Sequence, residues 1–183
     1  MSSNYPNASG GNYSDPSFAG RNRENIGRDD LAGDTAESVR QLNSYLRGEI
    51  SAAETYRMAI DKVADEDRAQ VANVGLLREI QEEHGRAAQA IRARIRELGG
   101  EPSDSSGVWG AWAKFTQGAA NLFGNAGALK ALKEGEEHGM KDYQEGVDDI
   151  DATSAELIQN QLIPAQQRHI NLLDQLISSA GKA

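Results

Sequence analysis

The most regular pattern in the chain is a set of residues spaced alternately four and three positions apart over 42–63. This spacing places them on one face of a helix, which we predict to run over 35–64. The face is apolar or aromatic except at Glu49. A carboxylate that faces a packed interior is costly unless a cation, a metal ion or several hydrogen bonds compensate it. The set consists of Leu42, Leu46, Glu49, Ala53, Tyr56, Ile60 and Val63.

Three further segments have the same spacing, and we predict helices over 67–98, 128–150 and 153–179. Each of them also carries polar residues in the middle of its apolar face. Pro164 should kink the last helix, because proline lacks a backbone N–H and clashes with the preceding turn. The mid-face polar residues are Gln81 and His84 in the second helix, Glu136 in the third, and Gln166 and His169 in the fourth.

The segment before the first helix differs in composition. Residues 1–33 are rich in Ser, Asn and Gly and contain few large aliphatic side chains. Such a segment cannot bury enough apolar surface to order itself. We therefore predict a disordered tail over 1–33, followed by one helical domain over 34–183.

A long crossover, over 99–127, connects the second and third predicted helices. Its apolar residues, which include Trp109, Trp112 and Phe115, fit one face of a short helix. This face can pack over the bundle or lie on a membrane surface. We favour packing, because Lys114 is the only lysine in the segment, whereas membrane-surface helices usually carry several cations.

Composition narrows the fold and the partners. Runs with strand-like alternation are absent and helix-forming residues dominate the 183-residue chain, so we predict an all-α protein. The net charge of -9, without a Lys/Arg cluster, argues against nucleic-acid binding. No run approaches the roughly 20 apolar residues of a transmembrane helix, and the chain has no cysteine. We expect a cytoplasmic protein, in which a remaining apolar face would allow a homodimer.

The two halves of the chain repeat each other. A Gly-Glu-x6-Tyr segment occurs twice, and so does a Gln-x-x-His segment. Two similar helical hairpins can assemble about a pseudo-two-fold axis, which would bring the mid-face polar residues into one layer. The repeated elements are Gly48-Glu49 with Tyr56, Gly135-Glu136 with Tyr143, Gln81 with His84, and Gln166 with His169.

These Gly-Glu-x6-Tyr segments are similar to the first-helix motif of rubrerythrin, and over about 36–180 the chain resembles the ferritin-like superfamily, including its stand-alone bacterial bundle proteins. The resemblance implies a ferritin-like four-helix bundle of two hairpins. In that superfamily two helices each give a Glu and the other two each give a Glu-x-x-His to a pair of iron or manganese ions. The ligand set that it implies here is Glu49, Gln81, His84, Glu136, Gln166 and His169, with Tyr56 and Tyr143 as their hydrogen-bond partners.

The chain departs from that pattern at Gln81 and Gln166, where the superfamily has carboxylates. A neutral amide supplies neither the charge nor the bridging oxygens that two hard cations need. One divalent ion of iron, manganese or zinc is one expectation. The other is a metal-free layer in which the glutamates pair with protonated histidines. The corresponding functions are a metal-binding bundle protein with a stress-related role, or a structural or interaction bundle that has lost its metal site.

Several residues near these motifs have simpler interpretations. The two tyrosines are core aromatics or hydrogen-bond partners of the glutamates. His138 falls between positions of the inner face, so we expect it to flank the site or to be solvated. The acidic residues off the inner faces should form a solvated surface. They are Glu54, Glu82, Glu83, Glu134 and Glu137.

Overall fold

The structure is a computed structural model that describes the backbone of residues 24–66, 71–107 and 110–180 and the side chains of 34–61, 74–107 and 127–180. The regular elements of these residues are all helical, which confirms the predicted class. They are α1 (Glu24–Glu66), α2 (Val71–Glu97), α3 (Gly110–Gly146), a 3-10 turn (Val147–Asp149), α4 (Ala152–Leu157), a π-helical turn (Ile158–Leu162) and α5 (Ile163–Ala180). The chain divides after Gly33 into two units, and apart from the start of α1 the following concerns the second.

Helix α1 begins at Glu24 rather than at 35, so it includes residues that we assigned to the tail. Between Pro16 and Pro102 the chain has no proline. A helix that has nucleated gains one hydrogen bond for each residue added, and no proline between 24 and 35 prevents its extension towards the N-terminus. The rest of the predicted tail, residues 1–23, lies outside the described residues.

Helix α3 corrects the predicted crossover. It is continuous over Gly110–Gly146, whereas we predicted a separate short helix and a new start at 128. The glycines that suggested an interruption cost only about 1 kcal/mol each inside a helix, and without a proline they do not break it. The side chains of Trp109, Trp112 and Phe115 lie outside the described ones.

The C-terminal helical segment agrees with the predicted 153–179 but contains a π-helical turn directly before Pro164. Within this turn the N–H of Ile163 donates to the carbonyl of Ile158. Pro164 has no N–H to donate to Asn160, and its ring would clash with that carbonyl in a regular helix. Widening the turn relieves the clash, so the predicted distortion occurs as a π-bulge.

The end of α2 fixes the path of the chain across α1. Gly99 adopts φ +77°, and the N–H of Gly100 donates to the carbonyl of Ile95 at 2.9 Å. This is the left-handed glycine cap of a helix. The loop that follows is attached to α1, where the side chain of Asn43 donates to the carbonyl of Glu101 at 3.0 Å and accepts from the N–H of Ser103 at 2.7 Å.

The buried apolar side chains form two clusters, with a polar layer between them. The first cluster contains Leu42, Tyr45, Leu46, Ala88, Ile91, Ile95, Tyr143, Val147, Ile158 and Leu162. The second contains Tyr56, Ile60, Leu77, Ile80, Leu129, Leu132, Leu173 and Leu176. Each cluster draws on α1, α2, α3 and the C-terminal segment, so side chains located between the clusters converge from all four.

None of the helices in the described part of the chain is long and apolar enough to cross a membrane.

Candidate metal centre

The polar layer between the two apolar clusters contains five of the six residues predicted to form the site. Each of the five is between 2% and 6% exposed. They come from every long helix, because the same periodicity that buries each apolar face also points its mid-face polar residue inward. They are Glu49 from α1, His84 from α2, Glu136 from α3, and Gln166 and His169 from α5.

His84 bridges the two buried glutamates. Its Nδ1 lies 2.8 Å from Oε2 of Glu49, and its Nε2 lies 3.0 Å from Oε1 of Glu136. An ionised carboxylate only accepts hydrogen bonds, so between two ionised glutamates both ring nitrogens carry a hydrogen and His84 is an imidazolium. Burial alone would lower the pKa of His84, but the charges of Glu136 and Glu49 raise it well above 6.5.

Glu136 accepts hydrogen bonds at both carboxylate oxygens. Its Oε1 accepts from the hydroxyl of Tyr56 at 2.5 Å as well as from His84. Its Oε2 accepts from the amide of Gln166 at 2.6 Å and lies 3.2 Å from Nδ1 of His169. Burial would raise the pKa of Glu136, but the charge of His84 and the hydrogen bonds from His169 and His84 lower it to about 2. Glu136 is therefore an ionised carboxylate despite its burial.

The two tyrosines make reciprocal bonds between α1 and α3. Tyr56 donates to Glu136, and Tyr143 donates to Oε1 of Glu49. Burial and the adjacent carboxylates raise the pKa of both phenols well above 10. Both therefore remain neutral donors. Of the two interpretations drawn from the sequence, this is the one in which the tyrosines are hydrogen-bond partners of the glutamates.

One residue of the network was assigned to the solvated surface. Glu83 is only 22% exposed, and its Oε2 lies 3.0 Å from Nε2 of His169 and 3.0 Å from the guanidinium of Arg168. Glu83 and Arg168 directly precede the two repeated histidines. Opposite charges at equivalent positions of a repeat are the sequence signal that indicates this ion pair.

Gln81 is not part of the hydrogen-bonded layer. It is half-buried, and in the described hydrogen bonds of the layer only its counterpart Gln166 takes part. Gln166 contacts both the backbone carbonyl of Glu136, at 2.9 Å, and its carboxylate. The layer is thus asymmetric, with its hydrogen bonds concentrated on Glu136.

Three of these side chains can converge on one ion. A ring nitrogen of His84, a carboxylate oxygen of Glu136 and a ring nitrogen of His169 all lie within 4.8 Å of one another. The two imidazole rings stand edge to face, with their centroids 4.9 Å apart. All three side chains are buried.

Comparison with known proteins adds a family. Neither the curated proteins nor the solved structures contain a match to this chain. A family model described as Domain of unknown function (DUF2383) matches residues 37–149, which is more than half of the chain. The matched range contains Glu49, His84 and Glu136. The chain therefore belongs to the DUF2383 family.

Proposed function

We propose that the polar layer binds a single divalent transition-metal ion through His84, Glu136 and His169. The observation that carries the proposal is the convergence of their three ligand atoms within 4.8 Å of one another in a buried layer. Two imidazoles and one carboxylate are the donor types that suit iron, zinc and neighbouring metals, and a set of this composition holds Fe(II) in many enzymes.

The available charge favours one ion over two. Glu49 and Glu136 are the two carboxylates inside the layer, and Glu83 at its edge is already paired with Arg168. Two hard divalent cations require more carboxylate oxygens than these residues supply. The amide of Gln166 donates a hydrogen bond to Glu136. Gln166 therefore positions a ligand and does not neutralise the charge of a second cation.

The residues fit such an ion only when each histidine presents a nitrogen without a hydrogen. Both ring nitrogens of His84 and both of His169 now face carboxylates, and a histidine must be neutral at the coordinating nitrogen to bind a metal. Binding should therefore release protons and weaken as the pH falls. When bound, an ion of this kind supplies Lewis acidity or one-electron chemistry, while Tyr56, Gln166 and Glu49 hold its ligands in place by hydrogen bonds.

The arrangement supports a ferritin-like bundle of two repeated hairpins. In each reciprocal bond, Tyr56 or Tyr143 donates to the glutamate that precedes the other tyrosine by seven residues. A pseudo-two-fold axis between α1 and α3 would relate the two bonds. The site would then correspond to the two-ion site of that superfamily with two of its carboxylates replaced by amides.

The alternative is a metal-free bundle that acts through its surfaces. It is favoured by a different observation, namely that Glu49 and Glu136 each accept hydrogen bonds from side chains at both carboxylate oxygens. A closed network of this kind satisfies buried charges without an ion. In that case the layer specifies the bundle and has no chemistry of its own.

Metal analysis of the full chain, purified without chelators, separates the two functions. We expect roughly one equivalent of iron, manganese or zinc, and the apoprotein should bind one Co(II) or anaerobic Fe(II). His169→Ala should weaken binding by about tenfold or more, whereas Gln81→Ala, at the repeat position outside the network, should bind like the wild type. Failure of the wild type to bind any of these metals, or equal binding by His169→Ala, would refute the metal site and favour the metal-free bundle.

A further inference from the structure

A cavity of about 70 Å³ lies between α1 and α3 and is partly open to solvent. Glu49, His84 and Glu136 line its inner part. A water molecule needs about 10–15 Å³ on this measure, so the cavity holds several waters but no large organic ligand. It therefore connects the buried layer to the surface with room only for small species.

Small residues keep this cavity open. Gly48 of α1 lines it, and a Cβ placed on Gly48 would meet no atom within 4 Å. Gly139 of α3 also lines it, but a Cβ there would lie 3.0 Å from the amide nitrogen of Gln166. Position 48 thus borders open space, and a larger side chain at this position could occupy the cavity without displacing the backbone.

The charges along the cavity favour a cation. The described residues that line it include no Lys or Arg. They do include the carboxylates Asp142 and Glu49. Asp142 is 35% exposed, and its Oδ2 lies 3.6 Å from Nε2 of His138, which also lines the cavity. A carboxylate beside an imidazole at the outer part is a weak, accessible pair of donors for a divalent ion.

The opposite side of the layer is less suitable for a cation. There, Glu83 is joined to Arg168 at 3.0 Å, and Arg168 is 58% exposed. A dication that approached along this side would meet the guanidinium first.

We infer that the cavity beside Gly48 is the entrance through which a divalent cation reaches the layer, with Asp142 and His138 as its outer contacts and Glu49 as the next. The inference rests on the proposed metal site and adds the route by which that site is filled. The entrance selects small hydrated cations by its size and by its negative charge.

Stopped-flow measurement of Co(II) binding to the full-length apoprotein tests this inference. Gly48→Leu should slow both uptake and release by about tenfold, with Kd unchanged, because it blocks the path and leaves the three ligands in place. Gly75→Leu is the matched control, since Gly75 is exposed on α2 and a Cβ there also meets nothing within 4 Å. Its rates should equal those of the wild type.

A second variant does not depend on filling the cavity. Asp142→Asn should slow uptake by about sixfold at low salt, the effect of one charge on a dication roughly 8 Å away in water. The difference should vanish at high ionic strength.

Wild-type rates in a folded Gly48→Leu variant would overturn the inference, and faster uptake by Arg168→Gln in that case would locate the entrance on the side of Glu83. Wild-type protein that binds no Co(II) would refute the metal site and its entrance together. Normal binding with unchanged rates in the variants would refute the entrance alone.

Discussion

The charge of Glu136 can be tested by Glu136→Gln, which keeps the shape of the side chain and removes its ionisation. Glutamine has nearly the same shape as a protonated glutamic acid. The free-energy cost of this substitution in the apoprotein therefore corresponds to the free energy of replacing the ionised carboxyl with its neutral form. The pKa of Glu136 measures that free energy.

The pKa of Glu136 is lowered from 4.5 to about 2 in the folded protein. Each unit corresponds to about 1.4 kcal/mol, so the ionised form stabilises the fold by about 3 kcal/mol. Because the folded pKa is the lower one, this contribution is complete above pH 4.5 and is lost as the pH falls towards 2. The cost of burying the carboxylate is already contained in the shift, so it is not subtracted again.

The assay is urea unfolding followed by helical circular dichroism, with EDTA present to keep the protein free of metal. Relative to the wild type, Glu136→Gln should lose about 3 kcal/mol of unfolding free energy at pH 6 and only about 1 kcal/mol at pH 3. The control is Glu137→Gln at the next position of α3, where the side chain is 53% exposed. Its unfolding free energy should change by less than about 0.5 kcal/mol.

Two results would contradict this reasoning. An equal loss at both pH values would mean that Glu136 stabilises the fold through hydrogen bonds that an amide cannot accept, and that its charge contributes nothing. No loss at pH 6 would mean that the carboxylate is not paired with a positively charged His84.

Other predictions concern His84 and three glycines. The pKa of His84 is raised in the folded protein, so the contribution of its charged form to the free energy of unfolding is complete below about pH 6.5 and declines as the pH rises through the folded value. Unfolding of the apoprotein between pH 6 and 9 should show this decline, and His84→Gln should remove it. Gly146→Ala should cost about 1–3 kcal/mol in thermal unfolding, because a methyl group would overlap the hydroxyl of Tyr45. Gly75→Ala, with open space around it, should instead stabilise the protein by up to about 1 kcal/mol. Gly99→Ala should cost about 1–2 kcal/mol, since φ +77° is unfavourable for residues with a side chain; a cost below about 0.3 kcal/mol would contradict the left-handed cap.

The helices and most of the polar layer could be predicted from the sequence, because helical periodicity determines which side chains point inward. Glu49, His84 and Glu136 interrupt their apolar faces at mid-helix, and two apolar clusters flank the layer that they form. The extents of α1 and α3 were less predictable. Their boundaries depend on whether a helix continues through glycines, and local sequence alone decides this poorly.

The asymmetry of the layer could not be predicted from helical periodicity. Gln81 and Gln166 each precede a histidine by three residues, yet among the described hydrogen bonds only Gln166 contacts a glutamate of the layer. At the shift that relates Glu49 to Glu136, Gly139 corresponds to Ala52. A Cβ at Gly139 would lie 3.0 Å from the amide of Gln166, so the glycine leaves the room that this amide needs.

The layer has a closed and an open side. On the closed side, an ion pair at 3.0 Å between Glu83 and Arg168 covers His169. On the open side, the cavity beside Gly48 reaches Glu49. Glu49, His84 and Glu136 all line that cavity, and His84 is hydrogen-bonded to both glutamates. A cation that entered through the cavity would therefore have to break a hydrogen bond between His84 and a glutamate, and a proton would leave His84 as the cation bound.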